Sequence, residues 1–352
     1  KIEIGIKHIG RYTTSEYETN IDNYNVLSWL PEDSLTNFFK YDQNVTAAYL
    51  SGNFNFNNDL GLIAGIRYEL TDINGSYDKI YDNFKKSYNN IVPSFTISKK
   101  LNMFRTIKLS YTNRIKRPDV SKINTNIEIS DLSNISRGNP SLSPSQSHQL
   151  EIGYTSFKPG LMSSFYLYYK ESLDVIEAFT TLIDIDEYNI FETNYLNTGN
   201  NKSFGLNFYG SATILRNLTI RGSFDLYTYN MRTNVNDVAL VRDNLIYKYS
   251  FNANLKFGNG YKAESRAFFR SPRQTIQGER PSFSMLSFGL RKDFKNKRGS
   301  FGVGIIEPFS KYKNFNTDIV GESVNGNNYT YTREYKILFR SFNISFKYKI
   351  GK

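Results

Sequence analysis

The C-terminal segment, residues 341–350, alternates strictly between polar and apolar residues. The apolar positions are Phe342, Ile344, Phe346, Tyr348 and Ile350. A period of two is that of a β-strand, because successive side chains point to opposite faces of the pleated backbone. About ten residues with one apolar and one polar face are the length with which a tilted strand crosses an outer membrane. The segment therefore predicts a transmembrane β-strand.

The same alternation recurs at 106–112, 149–154, 203–208, 247–257 and 286–291. A soluble sandwich or barrel also alternates, since its strands bury one face. The segment lengths and the aromatic content (27 Tyr and 27 Phe, but one Trp) favour the membrane protein, whose aromatic residues form girdles at the interfaces. We predict an all-β fold: a transmembrane antiparallel up-and-down β-barrel that occupies residues 1–352 as one domain.

Composition narrows the functional classes. The mean hydropathy is −0.49, as expected where only alternate residues face lipid. The chain has no cysteine, which excludes disulfides, thiolate metal sites and thiol catalysis. The net charge of +11 raises nucleic acid as a partner. However, the basic residues are spread along the strands and loops instead of forming a patch, so we predict a solvated basic surface and no nucleic-acid partner.

Turn chemistry predicts the topology. Short connections rich in Gly, Asn, Pro and Lys lie at 57–59, 99–102, 158–160, 215–217, 258–260 and 295–298. Longer polar stretches lie at 20–40, 72–88, 115–146, 171–201, 232–243, 271–281 and 310–329. Alternating short and long connections predict roughly fourteen strands, with short periplasmic turns and long extracellular loops. Residues 173–190 are expected to form local structure of undetermined type within their loop.

The N-terminal residues already read as a strand, with Ile2, Ile4 and Ile6 on one face. No initiator Met, signal peptide or cleavage site precedes them. Because an outer-membrane protein must be exported, we expect the full-length protein to have further N-terminal residues.

Residues 110–154 contain a family pattern. The sequence reads Asn-Arg-Ile-Lys-Arg-Pro at 113–118, Arg-Gly-Asn-Pro-Ser-Leu-Ser-Pro at 137–144, and Gln-Leu-Glu-Ile-Gly-Tyr at 149–154. This pattern resembles the C-terminal barrel of TonB-dependent receptors, in the outer membrane β-barrel family common in Bacteroidetes-type bacteria. Ser145 stands where that family usually has an acidic residue, and the ending 348–352 is similar but lacks the family's terminal Phe.

The resemblance implies a receptor for active uptake of a nutrient ligand, in the outer membrane of a Gram-negative cell. It also implies a 22-stranded barrel in lipid, a plug domain of the same polypeptide in its lumen, energy supplied by TonB and, in one branch, a surface lipoprotein. Fourteen strands would then be the C-terminal two-thirds of the barrel. The alternative is a complete smaller barrel that acts as a passive channel or as a structural subunit of a larger envelope complex.

The loop motif itself indicates backbone geometry more than chemistry. We expect Gly138 to supply a positive φ and Asn139-Pro140 to form an extended residue followed by a turn. Pro144 is expected to mark re-entry into the next strand.

Two arginines, Arg114 and Arg117, precede this motif near a strand end. One interpretation makes them ligand or plug contacts. The other makes them anchors that pair with carboxylates such as Glu128 or Asp131.

Basic side chains predicted to face the lumen form the candidate site. The candidate ligand or plug contacts are Arg114, Arg117, Arg221, Lys248, Lys262, Arg266 and Arg291. Excess positive charge in a pore favours anionic solutes or an acidic plug surface. The alternative is a mixed lumen whose charges pair across neighbouring strands.

The sequence offers little for catalysis or cofactors. Ser147 and His148 are adjacent in one predicted strand, so their side chains point to opposite faces and cannot form a nucleophile–base pair. The other histidine, His8, is far away in sequence. The acidic run 184–187 lacks the pattern of a calcium loop, and a solvated loop is the better interpretation. We expect no enzyme activity, no cofactor and no metal site.

Overall fold

The computed structural model describes residues 1–18, 20–23, 28–31, 36–78, 83–131, 133–185, 188–235, 238–295, 298–323 and 326–350. In chain order the strands are β1 (Ile2–Tyr17), β2 (Asn20–Asn23), β3 (Ser28–Pro31), β4 (Asn37–Phe56), β5 (Leu60–Tyr77), β6 (Phe84–Asn102), β7 (Arg105–Lys116), β8 (Glu128–Asp131), β9 (Asn134–Ser136), β10 (Ser145–Lys158), β11 (Leu161–Leu173), β12 (Val175–Ile185), β13 (Tyr188–Thr198), β14 (Asn200–Ile214), β15 (Leu218–Val235), β16 (Val238–Phe257), β17 (Tyr261–Arg270), β18 (Arg273–Gln274), β19 (Glu279–Arg280), β20 (Phe283–Asp293), β21 (Gly299–Ile306), β22 (Tyr312–Glu322), β23 (Asn328–Leu338) and β24 (Ser341–Tyr348). A four-residue helix, α1 (Val120–Ile123), lies between β7 and β8. Among these residues no helix is long and apolar enough to cross a membrane.

Fourteen strands form one antiparallel sheet, in which each strand lies beside the next one along the sheet. The order is β1-β4-β5-β6-β7-β10-β11-β14-β15-β16-β17-β20-β21-β24. This is the up-and-down arrangement, and the predicted number of fourteen strands is confirmed. Within the described residues β1 and β24 each pair on one side only, so hydrogen bonds do not close the sheet into a complete barrel.

The outer face of the sheet is apolar and exposed, as the alternation predicts. In the last strand pair, Val303 lies opposite Ile344 and Phe301 opposite Phe346, so all four share one face. Ile344 is 76% exposed and Phe346 66%. Phe251 and Phe288, on the same face of other strands, are also exposed. A continuous apolar surface of this extent is not typical of a soluble protein and requires contact with lipid.

Tight turns join the strands at one end of the sheet. Asn58, Asp59, Asn259 and Gly260 all adopt positive φ, between 58° and 80°, as hairpin turns require. The turn predicted at 99–102 is wrong by several residues, because β6 continues to Asn102 and the chain reverses at 103–104. There the Asn102 side chain accepts a hydrogen bond from the Phe104 amide over 2.9 Å, which is an Asx turn.

The opposite end of the sheet carries the long connections, and these are largely β-structure. The strands β12, β13, β9 and β8 form a second sheet, while β22–β23 and β18–β19 are separate hairpins. Residues 173–190, for which the sequence predicts local structure of undetermined type, form most of the β12–β13 hairpin. The stretches 72–88 and 232–243 were predicted as loops but are mostly strand. Beyond the hydrocarbon region lipid no longer requires one face of a strand to be apolar, so the regular alternation that reveals a strand weakens.

Two apolar clusters lie on the inner face at this long-loop end. In the first, Phe39, Tyr41, Ile73 and Tyr77 of β4 and β5 pack against Ile123 of α1. In the second, Tyr229, Met231 and Ile246 of β15 and β16 pack against Ile276, which lies between β18 and β19. The long connections therefore fold back over the interior of the sheet.

Candidate functional site

A cavity of about 890 Å³ lies on the inner face of the sheet. Its wall is formed by side chains of β7, β10, β11, β14, β15 and β16. The long connections contribute the rest of the lining, including the charged residues Lys122, Glu177, Arg273 and Arg280. Because these four belong to segments that cover the long-loop end, the cavity lies between the sheet and its own loops.

Two of the predicted basic residues, Arg114 and Lys248, line this cavity. Lys248 lies opposite Asp225 in the strand register, and its Nζ is 3.0 Å from Asp225 Oδ2. Lys248 also lies over the Tyr227 ring at 5.3 Å. Arg114, in contrast, has no hydrogen-bond or ion-pair partner among the residues that the structure describes.

Four predicted residues lie nearer the tight turns. Arg221, Lys262 and Arg291 line a separate space of about 270 Å³, and Arg266 lines a depression of about 310 Å³ that Arg291 also borders. Lys262 forms an ion pair with Asp293.

Arg291 approaches Asp293 at 3.2 Å, and Arg266 approaches Glu264 at 3.4 Å. The seven predicted residues therefore do not converge on one site, and several of their charges are neutralised by neighbours, as the mixed-lumen interpretation expects.

Arg117 has a structural contact with β5. Its Nε donates to Thr71 Oγ1 over 3.1 Å, and its Nη2 forms an ion pair with Glu69. Glu69 is buried and also forms an ion pair with Arg67, whose Nε lies 2.7 Å from Glu69 Oε1. The expected pairing of Arg117 with Glu128 was wrong, because the chain turns back over β5 as it leaves β7 and brings Arg117 to Glu69 instead. The Asp131 side chain lies outside the described residues. This geometry supports the anchor interpretation.

The motif at 137–144 joins two long connections. The Gly138 amide donates to Asn124 O over 2.8 Å, and Asn139 Nδ2 donates to Tyr195 O over 2.8 Å. The expected positive φ at Gly138 was wrong. Glycine is needed for a different reason, since a Cβ at this position would lie 2.3 Å from Asn124 O. A single sequence cannot distinguish these two uses of glycine.

We call the described parts of 117–144, 174–199, 271–282 and 307–340 the loop layer. Arg273 Nη2 lies 2.7 Å from Glu177 Oε1, and the Phe191 and Tyr331 rings stack with centroids 4.2 Å apart. The Tyr329 hydroxyl donates to Thr180 O. Burial raises the pKa of Tyr329, although a hydrogen bond with Gln277 opposes the shift, so the phenol remains a donor at neutral pH.

Sequence reasoning missed these loop-layer residues. Glu177 and Arg273 are 96 residues apart, and Thr180 and Tyr329 are 149 apart. No short motif marks either pair, so only a signal that links distant positions would have found them.

The remaining candidates for chemistry are apart from one another. Ser147 lines the cavity, while His148 hydrogen-bonds the Tyr111 hydroxyl at 2.8 Å on the opposite face, as strand geometry predicts. His8 contacts Thr46 Oγ1 at 3.0 Å near the free edge of the sheet. In the part of the chain that the structure describes, no group of three or more His, Cys, Asp or Glu side chains is arranged to hold a metal ion.

Comparison with protein families gives a match over nearly the whole chain. The outer membrane protein beta-barrel family matches residues 1–348. This chain belongs to that family. Membership places the protein in the outer membrane and agrees with the exposed apolar face of the sheet. No curated protein matches the sequence.

Solved structures with a similar fold include two receptors and a transporter. One is a mutant of the ferric enterobactin receptor PfeA from Pseudomonas aeruginosa, with a TM-score of 0.55 and 12% identity over 99% of this chain and 60% of that one. The copper transporter OprC gives a TM-score of 0.64 and 11% identity, over 98% and 56% of the two chains. The ferric yersiniabactin uptake receptor FyuA from Yersinia pestis gives 0.64 and 10%, over 99% and 51%.

At sequence identities of 10–12%, the similarity between this chain and these proteins is a similarity of fold. The chain spans between half and three-fifths of the length of these receptors.

Proposed function

We propose that residues 1–352 are a barrel domain of a TonB-dependent receptor that takes up a nutrient ligand across the outer membrane. Membership of the outer-membrane family and the fold shared with three uptake proteins support this class. Those proteins are named for ferric enterobactin, copper and ferric yersiniabactin, so they support transport without identifying a ligand.

The free edges of the sheet favour a larger barrel. Unpaired strand edges cannot face hydrocarbon, because no water is present there to satisfy the backbone N–H and C=O groups. β1 and β24 both have such an edge in the described structure. In a 22-stranded barrel, further strands of the receptor would pair with both edges. We propose that outer-membrane lipid surrounds the assembly and that a plug domain and TonB act with it; a surface lipoprotein is a further candidate partner.

The observation that carries the proposal is the loop layer. A passive channel needs an open path on the long-loop side, whereas here the long connections pack on the inner face through two apolar clusters. Contacts such as the Arg273–Glu177 ion pair hold separate connections together. A covered lumen suits a receptor that binds its ligand and opens only when energy is supplied.

The test is TonB dependence of transport by the full-length protein. Uptake of its nutrient should stop in cells that lack TonB, and the purified protein should show no stable open-channel conductance in planar bilayers. A stable open pore without TonB dependence would instead indicate a passive channel. Absence of transport together with stable co-purification in an envelope complex would indicate a structural subunit.

A further inference from the structure

The 890 Å³ cavity has an imbalance of charge. Seven basic and three acidic side chains line it. The three carboxylates already have partners: Asp225 is 3.0 Å from Lys248, and Glu177 is 2.7 Å from Arg273. Glu151 accepts a hydrogen bond from Gln149 over 3.1 Å. The acidic side chains are therefore engaged locally, and most of the positive charge is left unbalanced.

Lys170 of β11 is the central cation of this arrangement. It is half-buried on the inner face, opposite Gln149 on one neighbouring strand and Ser203 on the other. The positive charges of Arg114, Lys116 and Lys248 all act unfavourably on it. Within the described residues neither Lys170, Arg114 nor Lys116 has a carboxylate partner. Like charges brought together at a partly desolvated position are unfavourable unless a counter-anion is present.

The rest of the lining suits a small anion with several oxygen atoms. Ser147, Ser172 and Ser203 contribute hydroxyl groups, and Asn201 contributes a side-chain amide. Arginine and lysine form charge-assisted hydrogen bonds with carboxylate and phosphate oxygens. The volume lies within the range of small-molecule sites and is too small for a folded domain.

The loops provide cations as well as the sheet. Lys122 and Arg280 belong to two different connections of the loop layer and both line the cavity. A site that captures a solute arriving from the long-loop side needs positive charge on this covering layer, whereas contact with an acidic plug surface from below would not require it.

We propose that this cavity binds a small polyanion, a molecule with two or more carboxylate or phosphate groups, with Lys170, Arg114 and Lys116 as its principal cations. This inference rests on the proposed function, because it identifies the chemical class of the ligand that the receptor would take up.

The experiment is titration calorimetry on the full-length protein purified in detergent, with citrate and inorganic phosphate as the two anionic probes and maltose as the neutral probe. Wild-type protein should bind at least one anion and not maltose. Lys170→Gln should weaken that binding by about tenfold or more, while Lys170→Arg should retain most of it. Lys202→Gln is the matched control: Lys202 is an exposed lysine of β14 that pairs with Glu171 at 3.6 Å on the other face, and its removal should change affinity less than about twofold.

Heat-modifiable migration would show that each variant is assembled. Two results would overturn the inference: wild-type protein that binds neither citrate nor phosphate, or unchanged anion binding by an assembled Lys170→Gln variant. The first would indicate that another segment of the protein neutralises the cations.

This measurement does not need TonB, so it separates the two proposals. Anion binding without TonB-dependent uptake would remove the proposed active transport and keep the site. TonB-dependent uptake of a neutral nutrient without anion binding would remove the proposed anion site and keep the proposed active transport.

Discussion

Gln277 and Thr180 exchange two hydrogen bonds although they are 97 residues apart in sequence. The Thr180 amide donates to Gln277 Oε1, and Gln277 Nε2 donates to Thr180 O, each over 2.6 Å. Both side chains are buried. The Gln277 side chain belongs to the connection between β17 and β20, and it satisfies one backbone donor and one backbone acceptor of β12. It therefore fixes the positions of these two long connections relative to each other.

Removing this amide should loosen the loop layer without affecting the sheet. In Gln277→Ala the Thr180 amide loses its partner and Thr180 O keeps only the hydrogen bond from the Tyr329 hydroxyl; an unsatisfied buried amide costs about 1–3 kcal/mol. Hydrogen–deuterium exchange of 174–199 should therefore become faster, while exchange in β15 and β16 stays unchanged. Gln274→Ala is the control, because Gln274 donates to Glu279 in an exposed position of the same connection. Equal protection in wild type and Gln277→Ala would show that this contact does not hold the loops.

The register of the sheet makes a sharp prediction for adjacent residues in the last strand. Ile344→Lys places a charge on the lipid face, which should cost about 2–4 kcal/mol near the membrane centre. Asn343→Lys places the same charge on the inner face opposite Gly304, where it should be tolerated. The measurement is the yield of heat-modifiable protein in outer-membrane fractions. Equal yields for the two variants would contradict the register.

The Arg117 anchor should contribute to stability. Arg117→Met leaves Glu69 and Thr71 without their shared donor, so the free energy of unfolding in lipid vesicles should fall by about 1–3 kcal/mol. A double-mutant cycle with Glu69→Gln should show a coupling energy of about 1 kcal/mol or more.

The matched control for this anchor is Arg114→Met. Arg114 lies three residues earlier, has no hydrogen-bond or ion-pair partner within the described chain, and its charge acts unfavourably on Lys170. Its removal should leave stability nearly unchanged. A loss equal to that of Arg117→Met would be inconsistent with the anchor.

Two glycines provide a matched pair for testing close backbone packing. Gly138→Ala should displace the connection at 117–144, because a Cβ would meet the Asn124 backbone at 2.3 Å; overpacking of this kind costs about 1–3 kcal/mol. Gly258→Ala should have little effect, since a Cβ there meets no atom within 4 Å. Limited proteolysis of assembled protein should cleave 117–144 faster in the first variant only. Identical cleavage in both would rule out the packing explanation.

Sidedness is testable by cysteine labelling, because the chain has no native cysteine. Phe309, on the long-loop side, is 82% exposed, and Met103, in a tight turn, is 85% exposed. Phe309→Cys should react with a membrane-impermeant maleimide on intact cells, and Met103→Cys only after the outer membrane is permeabilised. The reverse pattern would invert the proposed orientation.

The sheet was predictable from sequence because its physical requirement is local. Residues such as Phe342, Ile344 and Phe346 must alternate with polar neighbours wherever a strand has lipid on one side and the lumen on the other. That rule gives the facing of Lys248, Lys262 and Arg291, while the alternation of short and long connections gives the strand count. The rule does not apply beyond the hydrocarbon region, where β5 and β6 continue into the stretch 72–88 that the polar composition predicts as a loop.

The interior site was only partly predictable. The alternation of side chains along each strand correctly places Arg114 and Lys248 on the inner face. It does not show which basic residues are paired with carboxylates. Lys170, which follows a run of tyrosines near the end of β11, was not among the candidates. Its importance comes from neighbours on other strands, and these are known only once the register is known.

The long-range contacts of the loop layer also bear on how such a protein diverges. Gln277 is matched to Thr180, and Asn139 is matched to the backbone of Tyr195. A change of length in one connection would misplace partners in another. Homologues should therefore exchange these connections as a set, with correlated insertions and deletions, while the strands below them drift independently. An alignment of close relatives should show co-variation between 174–199 and 271–282 that is absent between neighbouring tight turns.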